Sequence, residues 1–390
     1  MSQAARAPQE AGPLSILQLH GRFDGSAKDR RVARLMNHWG SRAQHDLLIA
    51  EPGADEARSL IDPTVPARFL DGPAFGAAGG PGRFIALAQA MRQYELVLSF
   101  GWGAIDGVIT QRLFGLLMGL PPLIHHEDGS ALQATGPLGF GSDFYRRFSL
   151  SAARALVVPT GKLVHIAIDQ WNEPASHVKQ IPEGIDVASY AGTRLPAEIP
   201  GLVDDGRLIV GACVEDATPQ MIDQLFRAVA PLKDKLRLVL LDAGDEALIL
   251  GERALAAGIG DVLAPGNLPR ARDYLAALDL FVLLAQDDPD PHRLAEAMAA
   301  GLPVVATDVA DIADMLAGPN RSFVVKPGGE AALAAALAAA LARIASEEPL
   351  RAQLGSANQR RAMQCFDESV MFDHYGRLYG AAVGREAALL

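Results

Sequence analysis

The feature that most limits the fold is a double alternation of strand-like and helix-like segments along the chain. Short runs rich in leucine and β-branched residues are each followed by a turn residue or by a longer segment with helical periodicity. These runs lie at 15–20, 46–50, 96–100, 122–126 and 156–159 in the first half, and at 207–210, 237–241, 280–284, 303–306 and 322–325 in the second. The alternation is typical of parallel sheets with crossover helices, so the sequence predicts two α/β domains.

A change of composition separates the two halves. Residues 191–206 are rich in residues that break helices and strands, which predicts a linker between a domain over 1–190 and a domain over 207–366. Apolar side chains recur on one helical face across 330–345 and again across 368–382, so both segments are predicted to be amphipathic helices. The last segment, 367–390, is expected to cross back to the first domain.

Charge and composition narrow the class of partner. The net charge is −11, with 17 Lys and Arg against 18 Asp and Glu in residues 1–190 and 18 against 28 in the remainder. An acidic chain without a stripe of basic residues is not expected to bind nucleic acid. Its basic clusters, at 30–34 and 146–147, are expected to be solvated helix faces. The absence of an apolar leader and of a run of ~20 apolar residues predicts a cytoplasmic protein, with peripheral contact to the inner membrane face left open.

The most informative stretch leads from the strand at 280–284 through a loop into a short helix that begins near His292. The N-terminus of such a helix, at His292, Arg293 and Leu294, offers backbone N–H groups and a positive dipole end to an anion. Glu296 follows one turn into the helix among small and apolar neighbours. A carboxylate placed there can accept hydrogen bonds from the two hydroxyls of a ribose. The sequence therefore predicts a nucleotide site around Glu296, with a solvated surface carboxylate as the alternative.

This stretch resembles the family-4 glycosyltransferases of the GT-B fold. Those proteins carry two acidic residues separated by seven others, followed by an Ala-Met-Ala-x-Gly-x-Pro-Val-Val run, which here occupies 297–305. The resemblance implies that Glu296 binds the nucleotide ribose. It also implies that Asp288, which stands where the family has a glutamate, contacts the donor sugar.

Further matches follow the same order along the chain. Residues 181–186, Ile-Pro-Glu-Gly-Ile-Asp, resemble the motif at the end of the family's first domain, and residues 308–313 resemble the loop after the next strand. Residues 264–269 resemble the loop that lies over the base, which implies donor contacts from Gly266 and Asn267. The resemblance therefore implies an α/β protein of the GT-B class, with two Rossmann-like domains facing each other across a cleft.

Two places in the first domain resemble the family's site as well. Gly25 and Ser26 lie in a glycine-rich loop after the first strand, which in the family reaches towards donor and acceptor. A plain strand-to-helix turn is the alternative for this loop. His126 ends a later strand and matches the family's histidine beside the reacting sugar, with Glu127 and Asp128 as polar neighbours. A structural histidine is the alternative there.

A second glycine-rich turn, at 100–107, invites comparison with a dinucleotide fingerprint. Its third glycine comes one place late, and Asp106 stands where that glycine is needed and would repel a pyrophosphate. Trp102 is instead expected to offer a stacking platform for a sugar in the acceptor region.

Two positions that carry cations in the family are alanines in this chain. The family usually has Gly-Arg after the first strand of the second domain and a lysine five residues later, and this pair neutralises the donor pyrophosphate. Here the two positions hold Ala212 and Ala217, and the family's Gly-Phe-Gly after the first acid is replaced by 289–291, Pro-Asp-Pro. The candidates for a replacement in space are Lys233, Arg270 and Arg293.

These features predict a retaining, hexosyltransferase-like enzyme that moves a sugar from a nucleoside diphosphate donor to a glycan, lipid-linked or small-molecule acceptor, in surface polysaccharide assembly. His126 and Asp288 are expected at the reacting sugar, and neither a metal nor a cofactor is expected. Charge-assisted phosphate contacts are worth roughly 1.5–3 kcal/mol each. Their loss leaves a second hypothesis, a glycosyltransferase-like protein that binds a sugar or partner without turnover. A third is an NAD oxidoreductase.

Overall fold

The computed structural model describes residues 12–76, 80, 82–129, 132, 141–190, 199–203, 205–241, 243, 246–265, 271–287 and 290–390. The chain divides into two compact units. Unit 1 comprises Met1–Glu183 and Met371–Leu390, and unit 2 comprises Gly184–Val370. Unit 2 therefore begins at Gly184, whereas the sequence predicted that the first domain would extend to residue 190.

Strands and helices alternate along the chain. The strands are β1 (Leu14–His20), β2 (Ala43–Ile49), β3 (Ala67–Leu70), β4 (Leu96–Phe100), β5 (Leu123–His126), β6 (Ala155–Val158), β7 (Val178–Gln180), β8 (Leu208–Cys213), β9 (Leu236–Leu241), β10 (Leu280–Leu283), β11 (Val304–Thr307) and β12 (Val324–Val325). The helices are α1 (Ala27–Trp39), α2 (Arg83–Met91), α3 (Ile105–Met118), α4 (Ser142–Ser149), α5 (Gly161–His165), α6 (Pro219–Val229), α7 (Ala247–Ala256), α8 (Ala271–Leu275), α9 (Pro291–Ala299), α10 (Ile312–Met315), α11 (Glu330–Ser346), α12 (Glu348–Cys365) and α13 (Glu368–Ala382).

The described strands of unit 1 form a parallel sheet in the order β3-β2-β1-β4-β5-β6-β7. The strand order reverses between β1 and β4, which pair from Ile16 with Leu96 to His20 with Phe100. In an open sheet of this kind, ligands bind outside the carboxyl ends of the strands where the order reverses. In unit 1 this place is therefore the loops that follow β1 and β4.

The described strands of unit 2 form a second parallel sheet, in the order β12-β11-β10-β8-β9. Here the order reverses between β8 and β10, which pair from Leu280 with Val210 to Leu283 with Cys213. The loop that leaves the carboxyl end of β8 holds Ala217, and the loop that leaves the carboxyl end of β10 leads to α9. Two Rossmann-like α/β units, each with a parallel sheet, confirm the predicted fold class.

Alternating side chains of each sheet enter two cores, one on each face. In unit 1, Ile16 and Leu98 pack on the face that holds Tyr375 and Tyr379 of α13. Their chain neighbours, such as Leu17, pack on the other face with α2 and α3. The last helix of the chain is thus part of the unit 1 core. In unit 2 the two faces are covered in the same way.

Three elements were not predicted from the sequence. Strands β3 and β7 lie at the edges of the unit 1 sheet and are short and partly exposed, so they lack a run of apolar residues. Helix α12 is rich in glutamine, arginine and asparagine, and few of its side chains are buried. Among the described residues, no helix combines the length and the apolar character needed to cross a membrane.

Candidate functional site

Helix α9 begins at the carboxyl-end edge of the unit 2 sheet. Asp290 caps the helix, because its carboxylate accepts a 2.9 Å hydrogen bond from the backbone N–H of His292. Pro291 stands at the first helical position, where its missing N–H costs nothing. Leu294 is buried in the core of unit 2, whereas the side chains of His292 and Arg293 are partly exposed. The predicted helix start is therefore in place beside the point where the strand order reverses.

The carboxylate of Glu296 lies one turn into α9 and is only 6% exposed. Its Oε1 atom accepts a 2.6 Å hydrogen bond from the hydroxyl of Tyr190. Nε2 of His292 lies 3.5 Å from Oε1, and Nη1 of Arg293 lies 3.5 Å from Oε2. The solvated surface carboxylate considered as the alternative is therefore wrong. Glu296 is a buried acid with free acceptor capacity beside a guanidinium.

Tyr190 is a residue that the sequence reasoning missed. It ends the short 3-10 helix Val187–Tyr190, four residues after Asp186 of the Ile-Pro-Glu-Gly-Ile-Asp motif. Burial and the hydrogen bond to Glu296 both raise the pKa of Tyr190, so its hydroxyl stays protonated and remains a donor. Its position directly after a recognised motif was the signal that could have identified it.

The loop after β8 carries two acidic side chains. Glu215 and Asp216 are exposed, and Ala217 closes a turn by donating its N–H to the carbonyl oxygen of Val214 at 3.1 Å. The carbonyl oxygen of Asp216 accepts a 3.1 Å hydrogen bond from the N–H of Gln286, which joins this loop to the loop after β10. Exposed acidic side chains therefore lie at the carboxyl-end edge of the unit 2 sheet.

The three candidate cations have different positions. Lys233 lies near the amino end of β8, since the N–H of Leu208 donates to the carbonyl oxygen of Lys235 two residues further on. The Nζ atom of Lys233 donates to the carbonyl oxygen of Gly258. That is the edge of the sheet opposite to α9, so Lys233 is not a replacement. Arg270 lies outside the described residues, as do Asp288, Gly266 and Asn267. Arg293 stands beside Glu296 on α9.

In unit 1, the predicted loop at Gly25 and Ser26 is the capped start of α1. Ser26 and Asp29 form a reciprocal capping box, and Gly25 has a φ of +97°, a conformation that favours glycine. Oδ2 of Asp29 accepts the backbone N–H groups of Asp24, Gly25 and Ser26 at 3.0, 3.2 and 3.2 Å. These N–H groups are therefore occupied by a carboxylate of the same loop.

His126 lies in the interior of unit 1. Its Nε2 is 2.7 Å from the hydroxyl of Tyr379, and its Nδ1 is 3.2 Å from the carbonyl oxygen of Ser99. The ring stacks on Phe100 at a centroid distance of 4.4 Å. Burial, together with the charge of Arg31, holds the pKa of His126 well below its usual range, so the imidazole is neutral. In this unit His126 has the contacts of the structural histidine given as the alternative.

Glu127, the residue after His126, forms a buried ion pair with Arg146. Nη2 and Nε of Arg146 each lie 2.8 Å from Oε2 of Glu127, and both side chains are at most 1% exposed. Burial opposes the ionisation of Glu127, but His125 and Arg146 beside it lower its pKa to about 2. The guanidinium of Arg146 also lies over the ring of Trp102, at 5.1 Å. Asp128 is partly exposed in the turn that follows.

This pair corrects one expectation about the basic clusters. Arg146 is fully buried and Arg31 is 5% exposed, and the latter pairs with Glu183 at 2.7 Å. Two of the five arginines in the predicted solvated helix faces are therefore buried in ion pairs. The spacing of the arginines along the sequence did not reveal their buried carboxylate partners.

The glycine-rich turn at 100–107 has a structural explanation. A Cβ atom on Gly21 would lie 2.7 Å from the Cα atom of Gly103, so the two loops approach each other more closely than a side chain allows. Asp106 accepts hydrogen bonds at 2.7 Å from the N–H of Gly76 and from Nε of Arg83. These contacts account for Gly103 and Asp106 without a dinucleotide.

Comparison with known proteins identifies a family to which part of unit 2 is similar. Residues 207–343 match the family model described as glycosyl transferases group 1. A putative teichuronic acid biosynthesis glycosyltransferase, TuaC of Bacillus subtilis (strain 168), is 30% identical over 165 residues, which span 40% of each chain. The GDP-mannose-dependent alpha-mannosyltransferase of Mycolicibacterium smegmatis is 24% identical over 309 residues, 72% of this chain and 79% of that protein.

A solved structure extends the likeness over nearly the whole chain. The crystal structure of Anabaena Alr3699/HepE in complex with UDP has a TM-score of 0.66 and 18% identity, and it covers 94% of this chain and 100% of its own. Residues 207–343 of unit 2 are therefore similar to the glycosyl transferases group 1 family, in a chain that has the two-domain α/β fold of the GT-B glycosyltransferases.

Proposed function

We propose that the protein is a retaining glycosyltransferase that moves a sugar from a nucleoside diphosphate donor to a glycan, lipid-linked or small-molecule acceptor. The observation that carries the proposal is the buried carboxylate of Glu296, one turn into α9, at the point in the group 1 domain where the strand order reverses. Relatives support the same class. HepE is described in complex with UDP, the mycolicibacterial relative is GDP-mannose-dependent, and the name of TuaC places it in teichuronic acid biosynthesis. That last name favours a role in surface polysaccharide assembly.

In this proposal the donor lies along the start of α9. Glu296 accepts hydrogen bonds from the ribose hydroxyls, and the helix N-terminus faces the diphosphate with its positive dipole end. Arg293, whose side chain is 31% exposed, supplies a cation in place of the two that Ala212 and Ala217 lack. Asp288, Gly266 and Asn267 keep the donor contacts that the family resemblance implies.

The chemistry needs little from the protein beyond placement and charge. Donor phosphate can take the proton of the acceptor hydroxyl, so no strong base is required, and catalysis comes from positioning and from stabilising the leaving diphosphate. We assign no proton transfer to His126, because both of its ring nitrogens are already hydrogen-bonded. Gly25 and Ser26 contribute to the shape of the unit 1 loop.

We also propose that unit 1 contacts an anionic bilayer surface, as access to a lipid-linked acceptor would require. Leu116 and Leu117 on α3 are 104% and 82% exposed, and Phe144 and Phe148 on α4 are also exposed. Arg112 lies over the ring of Phe148 at 5.8 Å, which places a cation within this apolar surface. The apolar side chains of such a surface can enter the bilayer interface while the arginine pairs with anionic lipid headgroups. This local cation matters because the net charge of the chain, −11, would otherwise oppose the contact.

One observation favours a second candidate function. The loop after β8 presents Glu215 and Asp216 to solvent where the family has cations. Acidic side chains next to a diphosphate weaken its binding. A glycosyltransferase-like protein that binds a sugar or a partner without turnover would tolerate this change.

A panel of donors separates these candidates. Thermal unfolding is measured with UDP-glucose, GDP-mannose, other nucleotide sugars and NAD, and the samples are then assayed for released nucleoside diphosphate. Stabilisation by a nucleotide sugar together with nucleotide release supports the glycosyltransferase. Stabilisation without release supports the binding protein, and stabilisation by NAD alone overturns both.

A further inference from the structure

Tyr190 is held on a rigid part of unit 2. The segment before it is anchored to the end of α12, because the N–H of Ile185 donates to the carbonyl of Phe366 and the carbonyl of Ile185 accepts from the N–H of Glu368, at 2.8 and 2.9 Å. Ile185 and Val187 are buried in the same core as Leu294 of α9. The backbone of Tyr190 is therefore fixed relative to the helix that carries Glu296.

The contact between the two side chains is the short one in this cluster. The Tyr190 hydroxyl lies 2.6 Å from Oε1 of Glu296, whereas His292 and Arg293 approach the carboxylate only to 3.5 Å. At 3.5 Å a hydrogen bond is weak, and at 2.6 Å a bond to a carboxylate is strong. Burial and the carboxylate also raise the pKa of the phenol, so the hydroxyl stays protonated and remains a donor to Glu296.

We infer that Tyr190 is a positioning residue that fixes the carboxylate plane of Glu296 and thereby sets a preference for ribonucleotide donors. The inference rests on the proposed role of Glu296 at the ribose. The last torsion of a glutamate side chain is broad, so a carboxylate without a strong partner turns freely about it. A ribose diol requires two acceptor positions at a fixed separation. Tyr190 occupies one lone pair of Oε1 and leaves the remaining acceptor positions of the carboxylate in one orientation.

The role of Tyr190 thus differs from simple support of the fold. A structural residue would change the binding of every nucleotide to the same extent. A residue that orients Glu296 for a diol changes the binding of nucleotides that have the diol and leaves those without it unaffected. This difference provides the test.

The experiment measures the dissociation constants of UDP, GDP, ADP and CDP and of their 2′,3′-dideoxy counterparts by calorimetry. The wild type, Tyr190→Phe and Glu296→Ala are compared. Tyr94→Phe is the matched control, because it removes a hydroxyl that also donates to a carboxylate, that of Asp46 at 2.8 Å, but in unit 1. Thermal unfolding of each variant checks that it is folded.

For the nucleotide that binds the wild type, we expect a preference for the ribose form that falls about tenfold in Tyr190→Phe, with the dideoxy form unaffected, as for the loss of one bond to a charged group. Tyr94→Phe should keep the preference. The inference is overturned if Tyr190→Phe weakens the binding of the ribose and dideoxy forms equally, or leaves the preference unchanged. In either case the proposed function stands if Glu296→Ala abolishes the preference. If none of the four ribonucleotides binds the wild type, the proposed function is overturned and the inference with it.

Discussion

The hydroxyl of Tyr379 lies 2.7 Å from Nε2 of His126, and this bond joins the last helix of the chain to the carboxyl end of β5 in unit 1. His126 belongs to a group of interior histidines on the same sheet. His20 stacks on Phe100, and Nδ1 of His45 accepts a 3.0 Å hydrogen bond from the amide nitrogen of Gln18. Burial is the main reason that the pKa of each of these three histidines is lowered.

Stability should therefore decrease as the pH falls from 7 to 5. Burial lowers the pKa of His45 to about 4, and the adjacent Asp46 offsets only part of this effect. The unfolded chain binds a proton below about pH 6.5 while the folded chain does not, so His45 alone should remove about 2 kcal/mol of stability by pH 5. Urea unfolding at both pH values measures the change. In His45→Gln the decrease in stability should be smaller than in the wild type. In His165→Gln, the control with an exposed side chain, it should equal that of the wild type. A wild-type stability that does not change between pH 7 and pH 5 contradicts the account.

Breaking the buried pair of Arg146 and Glu127 should be strongly destabilising. Arg146→Met leaves the carboxylate of Glu127 uncompensated in the interior, which typically costs about 3–5 kcal/mol. The double variant, Arg146→Met with Glu127→Gln, removes both charges and should recover most of the loss. Chemical unfolding of the wild type and the two variants gives the comparison. A double variant as unstable as Arg146→Met would show that Arg146 contributes packing, for example against Trp102, and not charge.

The contact between α12 and the turn after α9 should not tolerate a side chain at Gly355. A Cβ atom there would lie 2.0 Å from the carbonyl oxygen of Gly301, so Gly355→Ala should destabilise the protein by about 1–3 kcal/mol or more. Gly251→Ala on α7 is the matched control, since a Cβ atom at that position meets nothing within 4 Å. It should be neutral or stabilise by up to about 1 kcal/mol. Equal effects of the two substitutions on the melting temperature would contradict the predicted close approach.

Binding to vesicles tests the proposed bilayer surface of unit 1. The wild type should cosediment with phosphatidylglycerol vesicles and not with phosphatidylcholine vesicles, and salt should weaken the binding. Removing two exposed leucines, in Leu116→Ser with Leu117→Ser, should weaken it at least about tenfold, because each buried leucine contributes about 1.5–3 kcal/mol. Leu248→Ser changes a leucine of unit 2 that is 84% exposed and should have no effect. If the wild type does not bind vesicles but forms a dimer, and the double serine variant abolishes that dimer, the surface is an interface with a second copy of the chain.

The strand-helix alternation was sufficient to predict both sheets, because apolar runs in parallel strands are nearly continuous and easily recognised. The edge strands β3 and β7 escaped since edge strands are short and half exposed. In the site, Glu296 stood out as an isolated acid in an apolar helix. Its partner Tyr190 lies 106 residues away in sequence, and no local pattern encodes a contact over that distance.

The interior ion pairs were not predicted from the sequence either, because no local pattern encodes them. Arg146 and Arg147 are adjacent in sequence, yet one is buried against Glu127 and the other is exposed. Which arginine turns inwards depends on the packing of α4 against the sheet, and that packing is a tertiary property. The alanines at 212 and 217, where the family resemblance implies cations, remain a prediction from the motif.

The most direct test of the central claim is a calorimetric titration of UDP and GDP into the wild type and into Glu296→Ala. Glu252→Ala, which removes an exposed carboxylate on α7, is the control. The account predicts that one of the two nucleotides binds the wild type and the control alike, and that Glu296→Ala weakens this binding at least about tenfold, as expected for the loss of bonds to a charged group. Equal affinity in Glu296→Ala and the wild type, with all three proteins folded, would contradict the claim that Glu296 holds the nucleotide.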